Sequence, residues 1–248
     1  MESAFSEEDK NRYKIDEEIY LNENRYDTPK ESFKFIGKNI ARFVENKEEC
    51  KTSLLDVGCA TGELIYYLRT LFPGFNYTGF DISEKMLKHA SFKMSEVNFY
   101  QRTILDLAEE KSDAQYDFVI MSGVLSIFDD TERVLENLIS LVKKGGNLLV
   151  YGFFNDLPVD VIMRYKSSDD SEWKSGWNII STKYCEKIIR NICLANIEWV
   201  DFDIGFSLER PKDDFMRVWT IPTEGSPYQH INGACQLLNM KLMIVSIT

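Results

Sequence analysis

The sequence has few of the residues that build disulfide frameworks or metal sites. Its five cysteines, at positions 50, 59, 185, 193 and 235, form no C-x-x-C pair, and its two histidines are His89 and His230. An odd number of scattered cysteines favours free thiols in a reducing, cytoplasmic compartment. We therefore expect no metal ion, and a surface or packing role for both histidines.

Excess positive charge and long apolar runs are also missing. The chain has 29 lysines and arginines against 40 acidic residues, a net charge of −11, and no basic stripe. Such a balance repels nucleic-acid phosphates. No apolar run approaches the roughly 18 residues of a membrane span, and the acidic first ten residues do not resemble a signal peptide. We expect binding to neither nucleic acid nor membrane.

Strand-like and helix-like patterns alternate along most of the 248 residues. This alternation predicts one α/β domain with a mostly parallel sheet covered by helices on both faces. We expect a single domain over 1–248 with an N-terminal segment, 1–27. The segments 154–180 and 205–235 are longer than simple connections, and loops of that length usually have a function. They are therefore the expected source of substrate specificity.

Capping residues and apolar periodicity locate the individual elements. Candidate helix N-caps are Thr28 (in a capping box with Pro29 and Glu31), Ser83, Asp129 or Asp130, and Ser181. Lys143 and Lys144 before Gly145 are typical of a helix C-terminus. Strands are expected at 53–57, 76–80, 97–99, 116–122, 147–153, 197–202 and 236–247, with an extra hairpin from 217–221 and 228–231.

The most informative segment is 54–63, L-L-D-V-G-C-A-T-G-E, where an apolar strand enters a tight turn that opens a helix. Gly58 and Gly62 permit positive φ values and close approach of a ligand to the backbone. The helix N-terminus offers unpaired N–H groups. Ala60 replaces the middle glycine of the G-x-G-x-x-G motif, which disfavours NAD. The turn predicts an adenosine-type ligand.

A second acidic residue stands at the spacing of a ribose-binding group. Asp81 ends the next strand, about 20 residues after Gly62, where a carboxylate can accept both ribose hydroxyls. With this order of strand, turn, helix, strand and acid, residues 53–153 resemble a class I S-adenosylmethionine-dependent methyltransferase. The resemblance implies a Rossmann-like, seven-stranded, mostly parallel sheet with an antiparallel last strand. It also implies insertions after strand 5 and between strands 6 and 7.

The resemblance further implies S-adenosylmethionine as cofactor and a set of residues around it. In that set the glycine turn shapes the methionine pocket, Asp56 holds the turn or the amino group, and Asp81 binds the ribose. Residues that follow strands 2, 3 and 4 contact the adenine and form the rest of the cofactor pocket. The implied cofactor-binding residues are Asp56, Gly58, Cys59, Ala60, Gly62, Asp81, Ile82, Met86, Asp106, Leu107, Ser122, Gly123 and Val124.

Several of these residues have simpler interpretations. Asp81 and Asp106 can be turn residues at strand ends, and Met86 can be a core residue. Cys59 can be a small residue in a crowded turn, or a reactive thiol whose pKa is lowered by the adjacent helix N-terminus.

No catalytic residue can be named from the sequence. Many related enzymes carry a histidine shortly after strand 4, and this chain has Ile127 there. Methyl transfer to an already nucleophilic oxygen or nitrogen needs mainly alignment and desolvation, so the absence does not argue against catalysis. We expect methyl transfer to a small-molecule acceptor, with oxygen favoured.

The acceptor site is expected among the aromatic residues of 154–180. Candidate substrate residues are Phe154, Trp173 and Trp177, with a packed lid as the alternative. Tyr13, Tyr20 and Tyr26 are candidates for closing the cofactor site from the other side. Two other functions stay open: a non-catalytic adenosyl-binding or regulatory protein of the same fold, and an NAD-dependent dehydrogenase.

Overall fold

A computed structural model of the chain describes residues 17–23, 25–44, 51–105, 115–169, 171–212, 214 and 216–248. The helices are α1 (17–22), α2 (Glu31–Ile40), α3 (Glu63–Leu71), α4 (Glu84–Lys93), α5 (Thr131–Ser140) and α6 (Thr182–Ile192). The strands of the first half are β1 (Ser53–Val57), β2 (Asn76–Asp81), β3 (Asn98–Gln101), β4 (Tyr116–Ser122) and β5 (Val142–Asn155). The later strands are β6 (Arg164–Tyr165), β7 (Lys174–Ser175), β8 (Ile180–Ser181), β9 (Ala195–Asp201), β10 (Trp219–Ile221), β11 (Gln229–Ile231), β12 (Leu237–Leu238) and β13 (Met240–Ile247).

The main sheet has the strand order β3-β2-β1-β4-β5-β13-β9. Its first five strands are parallel, and β13 runs antiparallel to both of its neighbours. The predicted fold class, a Rossmann-like mostly parallel sheet with an antiparallel last strand, is confirmed. The strand number differs by one because β8 also pairs with β5. A two-residue strand has no periodicity that a sequence pattern can reveal.

The central strands are apolar on both sides because helices cover both faces of the sheet. Along β1, Leu54 belongs to one buried cluster and Leu55 to the other. Helices α5 and α6 contribute to the cluster of Leu55, for example through Leu138. Helices α2 and α3 contribute to the cluster of Leu54, for example through Ile36. The carboxyl ends of the parallel strands therefore meet at one edge of a rigid, two-sided core.

Three of the predicted N-caps are confirmed. The side chains of Ser83, Asp130 and Ser181 accept hydrogen bonds from the backbone three residues further on, at 3.0, 3.1 and 3.2 Å respectively. Each bond satisfies an N–H group that the first helical turn leaves unpaired.

Two predictions about helix ends are wrong. Helix α2 begins after an extended Lys30 without any side-chain cap, so Thr28 is not its N-cap. Helix α5 ends at Ser140, and Lys143 and Lys144 lie in β5. Lys143 instead pairs with Asp117 of the adjacent strand at 2.8 Å, and this contact across the sheet overrides the local helix signal.

The two long segments contain short strands of their own. Strands β6 and β7 pair within 154–180. The predicted hairpin at 217–221 and 228–231 is confirmed by antiparallel pairing of β10 with β11, to which β12 adds a third strand. Because β12 pairs with β11 in a separate three-stranded sheet, β13 begins at Met240 rather than at 236. Within the described ranges, no helix has the length and apolarity needed to cross a membrane.

Candidate functional site

Two adjoining cavities lie at the carboxyl ends of β1, β2 and β4. The first has about 710 Å³ of space unfilled by atoms, and its lining includes Val57, Asp81, Met86, Arg102 and Phe128. The second has about 720 Å³, and its lining includes Lys30, Asp56, Thr61, Tyr151 and Met240. Tyr20, Gly58, Ala60 and Gly123 line both. Ligands of open α/β sheets bind at this edge, so the two cavities form the candidate site.

The turn after β1 forms the floor between the two cavities. The N–H groups of Gly58 and Cys59 both donate to the Phe80 carbonyl, at 2.7 and 2.9 Å. Gly58 has a φ of 77°, and a Cβ on it would lie 2.7 Å from a methyl group of Val124. Glycine at this position is therefore required both by the backbone conformation and by the neighbouring wall.

Gly62 has a different role from the one predicted. It is the N-cap of α3 with a φ of 81°, and a Cβ on it would lie 2.7 Å from the Met94 side chain and 3.2 Å from Ala90. It lines neither cavity. Gly62 thus allows α3 to begin against α4, and it shapes the site only indirectly.

Asp81 links the first cavity to the turn. Its Oδ2 accepts a hydrogen bond from the Ala60 N–H at 2.8 Å, and its Oδ1 accepts one from the Ser83 N–H at 2.9 Å. The side chain is buried, and burial raises its pKa although these hydrogen bonds favour the ionised form. Each carboxylate oxygen retains a lone pair that can accept from a ligand in the cavity.

Asp56 and Thr61 are buried polar groups on the second cavity. The Asp56 residue is 2% exposed, and within the described part of the chain its carboxyl group has no hydrogen-bond partner. Burial, together with the charge of Asp81, raises the pKa of Asp56 to about 7. The Thr61 hydroxyl is likewise buried without a partner among the described residues. Buried polar groups nearly always have a hydrogen-bond partner in folded proteins. The unpartnered side chains of Asp56 and Thr61 therefore indicate a ligand.

Gly123 opens the space above the turn. It follows β4 with a φ of 75°, and its N–H donates to the Tyr151 carbonyl at 2.8 Å. A Cβ built on Gly123 meets nothing within 4 Å. Any side chain here would enter the space shared by the two cavities, which the glycine leaves free for a ligand.

The remaining predicted residues fall into three groups. Ile82, Met86 and Val124 line the first cavity. Met86 is also packed in the core, as its simpler interpretation required. Cys59 and Ser122 line the second cavity. Asp106 and Leu107 lie outside the described residues.

The reactive-thiol interpretation of Cys59 is wrong. The side chain is buried, and burial together with the charges of Asp56 and Asp81 raises the pKa of the thiol well above its ordinary value. A protonated thiol is a poor nucleophile, and Cys59 acts as a small residue in a crowded turn.

The predicted aromatic substrate residues lie away from both cavities. Phe154 is 1% exposed and packs in the core against Trp199, with ring centroids 4.8 Å apart, so it has no surface to offer a substrate. Trp173 is exposed beside Lys166, and Trp177 packs edge-on against Phe153. Neither tryptophan lines the site. The packed-lid alternative fits Phe154 and Trp177 better, and Trp173 is an exposed surface residue.

The N-terminal segment contributes more than the sequence indicated. Tyr26 donates its hydroxyl to the Thr61 carbonyl at 2.5 Å, and the Arg25 N–H donates to Glu63 at 2.8 Å. Tyr20 lines both cavities. The described residues 17–23 and 25–30 therefore lie beside the turn, and among the predicted tyrosines only Tyr13 lies outside the described residues.

Lys30 is a site residue that the sequence analysis missed. It lines the second cavity, and its ammonium lies 4.7 Å from the centroid of the Tyr20 ring. Burial lowers its pKa, and it forms no ion pair with any described carboxylate. Its position next to a proline and before a helix suggested only local structure, so no sequence signal marked it.

Comparisons with known proteins agree with this geometry. Residues 55–148 match the family model of a methyltransferase domain. A malonyl-[acyl-carrier protein] O-methyltransferase from Acetivibrio thermocellus is 25% identical over 200 residues, covering 78% of this chain and 67% of that enzyme. Residues 55–148 therefore form a methyltransferase domain. Other malonyl-[acyl-carrier protein] O-methyltransferases are matched over 59% of their length or less.

Solved structures of methyltransferases share the fold. An S-adenosylmethionine-dependent methyltransferase from Clostridium acetobutylicum superposes with a TM-score of 0.56 at 14% identity, covering 96% of this chain and 98% of that one. The magnesium protoporphyrin IX methyltransferase from Synechocystis, solved with bound S-adenosylmethionine, gives a TM-score of 0.52 at 15% identity over 88% and 79%.

Proposed function

We propose that this chain transfers the methyl group of S-adenosylmethionine to an oxygen atom of a small-molecule acceptor. The observation that carries the proposal is the second cavity. It continues beyond the glycine turn to Lys30, Tyr151 and Met240, and so provides space next to the reacting methyl group. The O-methyltransferase names of the sequence relatives support oxygen as the acceptor atom.

In the proposed complex the adenosine lies in the first cavity. Asp81 accepts the ribose hydroxyls, and Ile82 and Met86 contact the adenine. Arg102, whose guanidinium lies 5.4 Å from the Phe80 ring centroid, also lines this cavity. Asp106 and Leu107 keep the adenine-binding roles that the resemblance implies, as part of the proposal.

The methionine end of the cofactor fits the polar groups around the turn. Its ammonium suits the carboxyl of Asp56, and its carboxylate suits the hydroxyl of Thr61, so each unpartnered group gains a partner of the right kind. The sulfonium and its methyl group then lie in the space that Gly123 leaves open. When bound, the cofactor supplies a methyl carbon activated for in-line displacement.

The chain's own residues act on the acceptor by alignment and exclusion of water. The ammonium of Lys30 orients an acceptor oxygen and favours the deprotonated, anionic form of that oxygen. Tyr151 and Phe33 supply apolar walls. Neither cavity has a histidine in its described lining. A positioned oxygen in a dry site needs little help from a general base.

The test has two stages. S-adenosylhomocysteine should raise the melting temperature of the chain in the presence of EDTA, by mass action on the folded state, and NAD should not. Stabilisation by NAD alone would overturn the assignment. Transfer of labelled methyl to oxygen nucleophiles should then be detectable with free small acceptors, and a carrier-bound acyl group is the control acceptor. Binding without turnover of any acceptor would favour a non-catalytic adenosyl-binding protein.

A further inference from the structure

A third cavity adjoins the candidate site. It has about 820 Å³ of unfilled space, and its lining comes from the end of β9, the turn between β10 and β11, the start of β11 and the start of β13. Met240 lines both this cavity and the second one. The wall between them is completed by Tyr151 and Phe202, whose rings pack edge-on at 5.4 Å, and the Tyr151 hydroxyl lies 3.4 Å from the Met240 sulfur. The third cavity therefore lies one side chain away from the proposed acceptor space.

The third cavity is negatively charged. Asp156, Asp201 and Asp203 line it together with a single lysine, Lys241. Lys241 pairs with Asp156 at 3.1 Å and with Asp201. Asp203 accepts only the Gly205 N–H, at 3.1 Å, and has no cationic partner among the described residues. The excess of carboxylates favours a cationic ligand.

His230 gives independent evidence for a ligand. The residue is 6% exposed and lines the cavity, yet within the described chain its imidazole makes no hydrogen bond. Pairing of its strand with β10 and with β12 holds it in place. Burial lowers its pKa, so the neutral ring offers one donor and one acceptor. A buried ring with both capacities unused is suited to a hydroxyl group, which can donate and accept.

Other residues that line the third cavity are also polar or aromatic. Gln229 and Asn239 place side-chain amides at the cavity, and Tyr228 adds an aromatic ring. Aromatic faces with amide and carboxylate edges suit a ring that is apolar on its faces and carries hydroxyl groups around its rim.

We propose that the third cavity binds the distal part of the methyl acceptor, and that this part is an amino sugar or a similar hydroxyl-rich ring with an ammonium group. The inference rests on the proposed function, because the third cavity gains its meaning from the acceptor space beside it. Asp203 takes the ammonium, His230 takes a hydroxyl, and Met240 contacts both halves of the acceptor.

The experiment uses the full chain saturated with S-adenosylhomocysteine and labelled with ¹³C at the methionine methyl groups. The Met240 resonance is assigned with Met240→Leu. Glucosamine should shift this resonance saturably in the millimolar range, and glucose and N-acetylglucosamine, which lack the ammonium, should bind at least about fivefold more weakly. No saturable shift, or equal binding of glucose and glucosamine, would overturn the proposal.

Two variants and a matched control locate the binding. Asp203→Asn and His230→Gln should each weaken glucosamine binding about fivefold or more. Asp169→Asn, which changes another exposed aspartate outside the cavity, should not. Equal effects of Asp203→Asn and Asp169→Asn would overturn the proposal, and Asp203 is exposed enough for the variant to fold.

Affinity for S-adenosylhomocysteine, measured on the same samples, separates the two proposals. If that ligand binds and glucosamine does not, only the third-cavity inference fails. If S-adenosylhomocysteine does not bind, the proposed function fails, whatever glucosamine does.

Discussion

The carboxylate of Asp81 accepts a hydrogen bond from the backbone N–H of Ala60 at 2.8 Å, and this bond joins the end of β2 to the turn after β1. Ala60 has a φ of 48°, in the left-handed region that alanine rarely adopts. The strained turn is thus held by the same side chain that lines the proposed ribose pocket. The conformation of the turn and the affinity for the cofactor should depend on each other.

Asp81→Ala should weaken binding of S-adenosylhomocysteine by about 1–3 kcal/mol, because the ribose loses a charged acceptor and the turn loses its restraint. Isothermal titration calorimetry measures this. Asp117→Asn is the control, since Asp117 binds Ser53 and Lys143 at the other end of the strands. It should lower stability and leave affinity unchanged. An unaltered dissociation constant in Asp81→Ala would remove Asp81 from the site.

The stability of the ligand-free protein should fall between pH 4 and pH 7 because of Asp56. Its pKa is raised from 3.8 to about 7 in the folded state. The folded protein therefore holds the proton more tightly than the unfolded chain, and the stability present at low pH is lost as the pH rises toward 7. Urea unfolding at pH 5 and pH 8 should show a smaller loss in Asp56→Asn than in the wild type. Identical losses would show that Asp56 titrates normally.

Affinity for S-adenosylhomocysteine should depend on the same group in the opposite direction. Binding of the ligand ammonium favours the ionised carboxylate, so affinity should increase as the pH rises through 7. In Asp56→Asn this increase should vanish. Calorimetry in two buffers of different ionisation enthalpy should detect proton release only in the wild type. Proton release that persists in the variant would assign it to another group.

Gly123→Ala and Gly145→Ala form a matched pair. Both glycines have positive φ, 75° and 78°, and open space where a Cβ would stand. Each substitution should cost about 1–3 kcal/mol of stability through backbone strain. Only Gly123→Ala should also weaken cofactor binding, since its methyl group enters the site. Thermal unfolding and calorimetry on both variants test this, and equal affinities would show that the cofactor does not pass Gly123.

Phe154→Ala and Trp173→Ala should differ sharply. Removing the buried Phe154 ring should destabilise the fold by about 3–5 kcal/mol. Trp173 is 57% exposed, and its loss should change stability and cofactor affinity by no more than about 0.5 kcal/mol. Chemical unfolding measures the first effect and calorimetry the second. A large loss of cofactor affinity in Trp173→Ala would show that Trp173 belongs to the cofactor site.

The amino-acid sequence determined the parts of this protein that depend on local chemistry. Apolar runs that alternate with helical patterns specify the parallel strands. Ser83, Asp130 and Ser181 cap helices by accepting hydrogen bonds from backbone N–H groups only three residues further on. The turn around Gly58 and the number of residues that separate it from Asp81 can likewise be read along the sequence. These features predicted the fold, the proposed cofactor and the side of the sheet on which the site lies, because each is encoded within one contiguous segment.

Only the tertiary structure decided which distant residues meet. Lys30 lines the second cavity because 25–30 lies beside the turn, and Gly62 is not part of the cavity lining because α4 packs against it. Phe154 and Trp173 were both candidate substrate residues, yet Phe154 is buried in β5, which pairs with β8 and β13, and Trp173 is exposed. The third cavity joins Asp203, His230 and Lys241 from separate segments. Such neighbours are set by packing over long sequence distances, to which local periodicity and composition are insensitive.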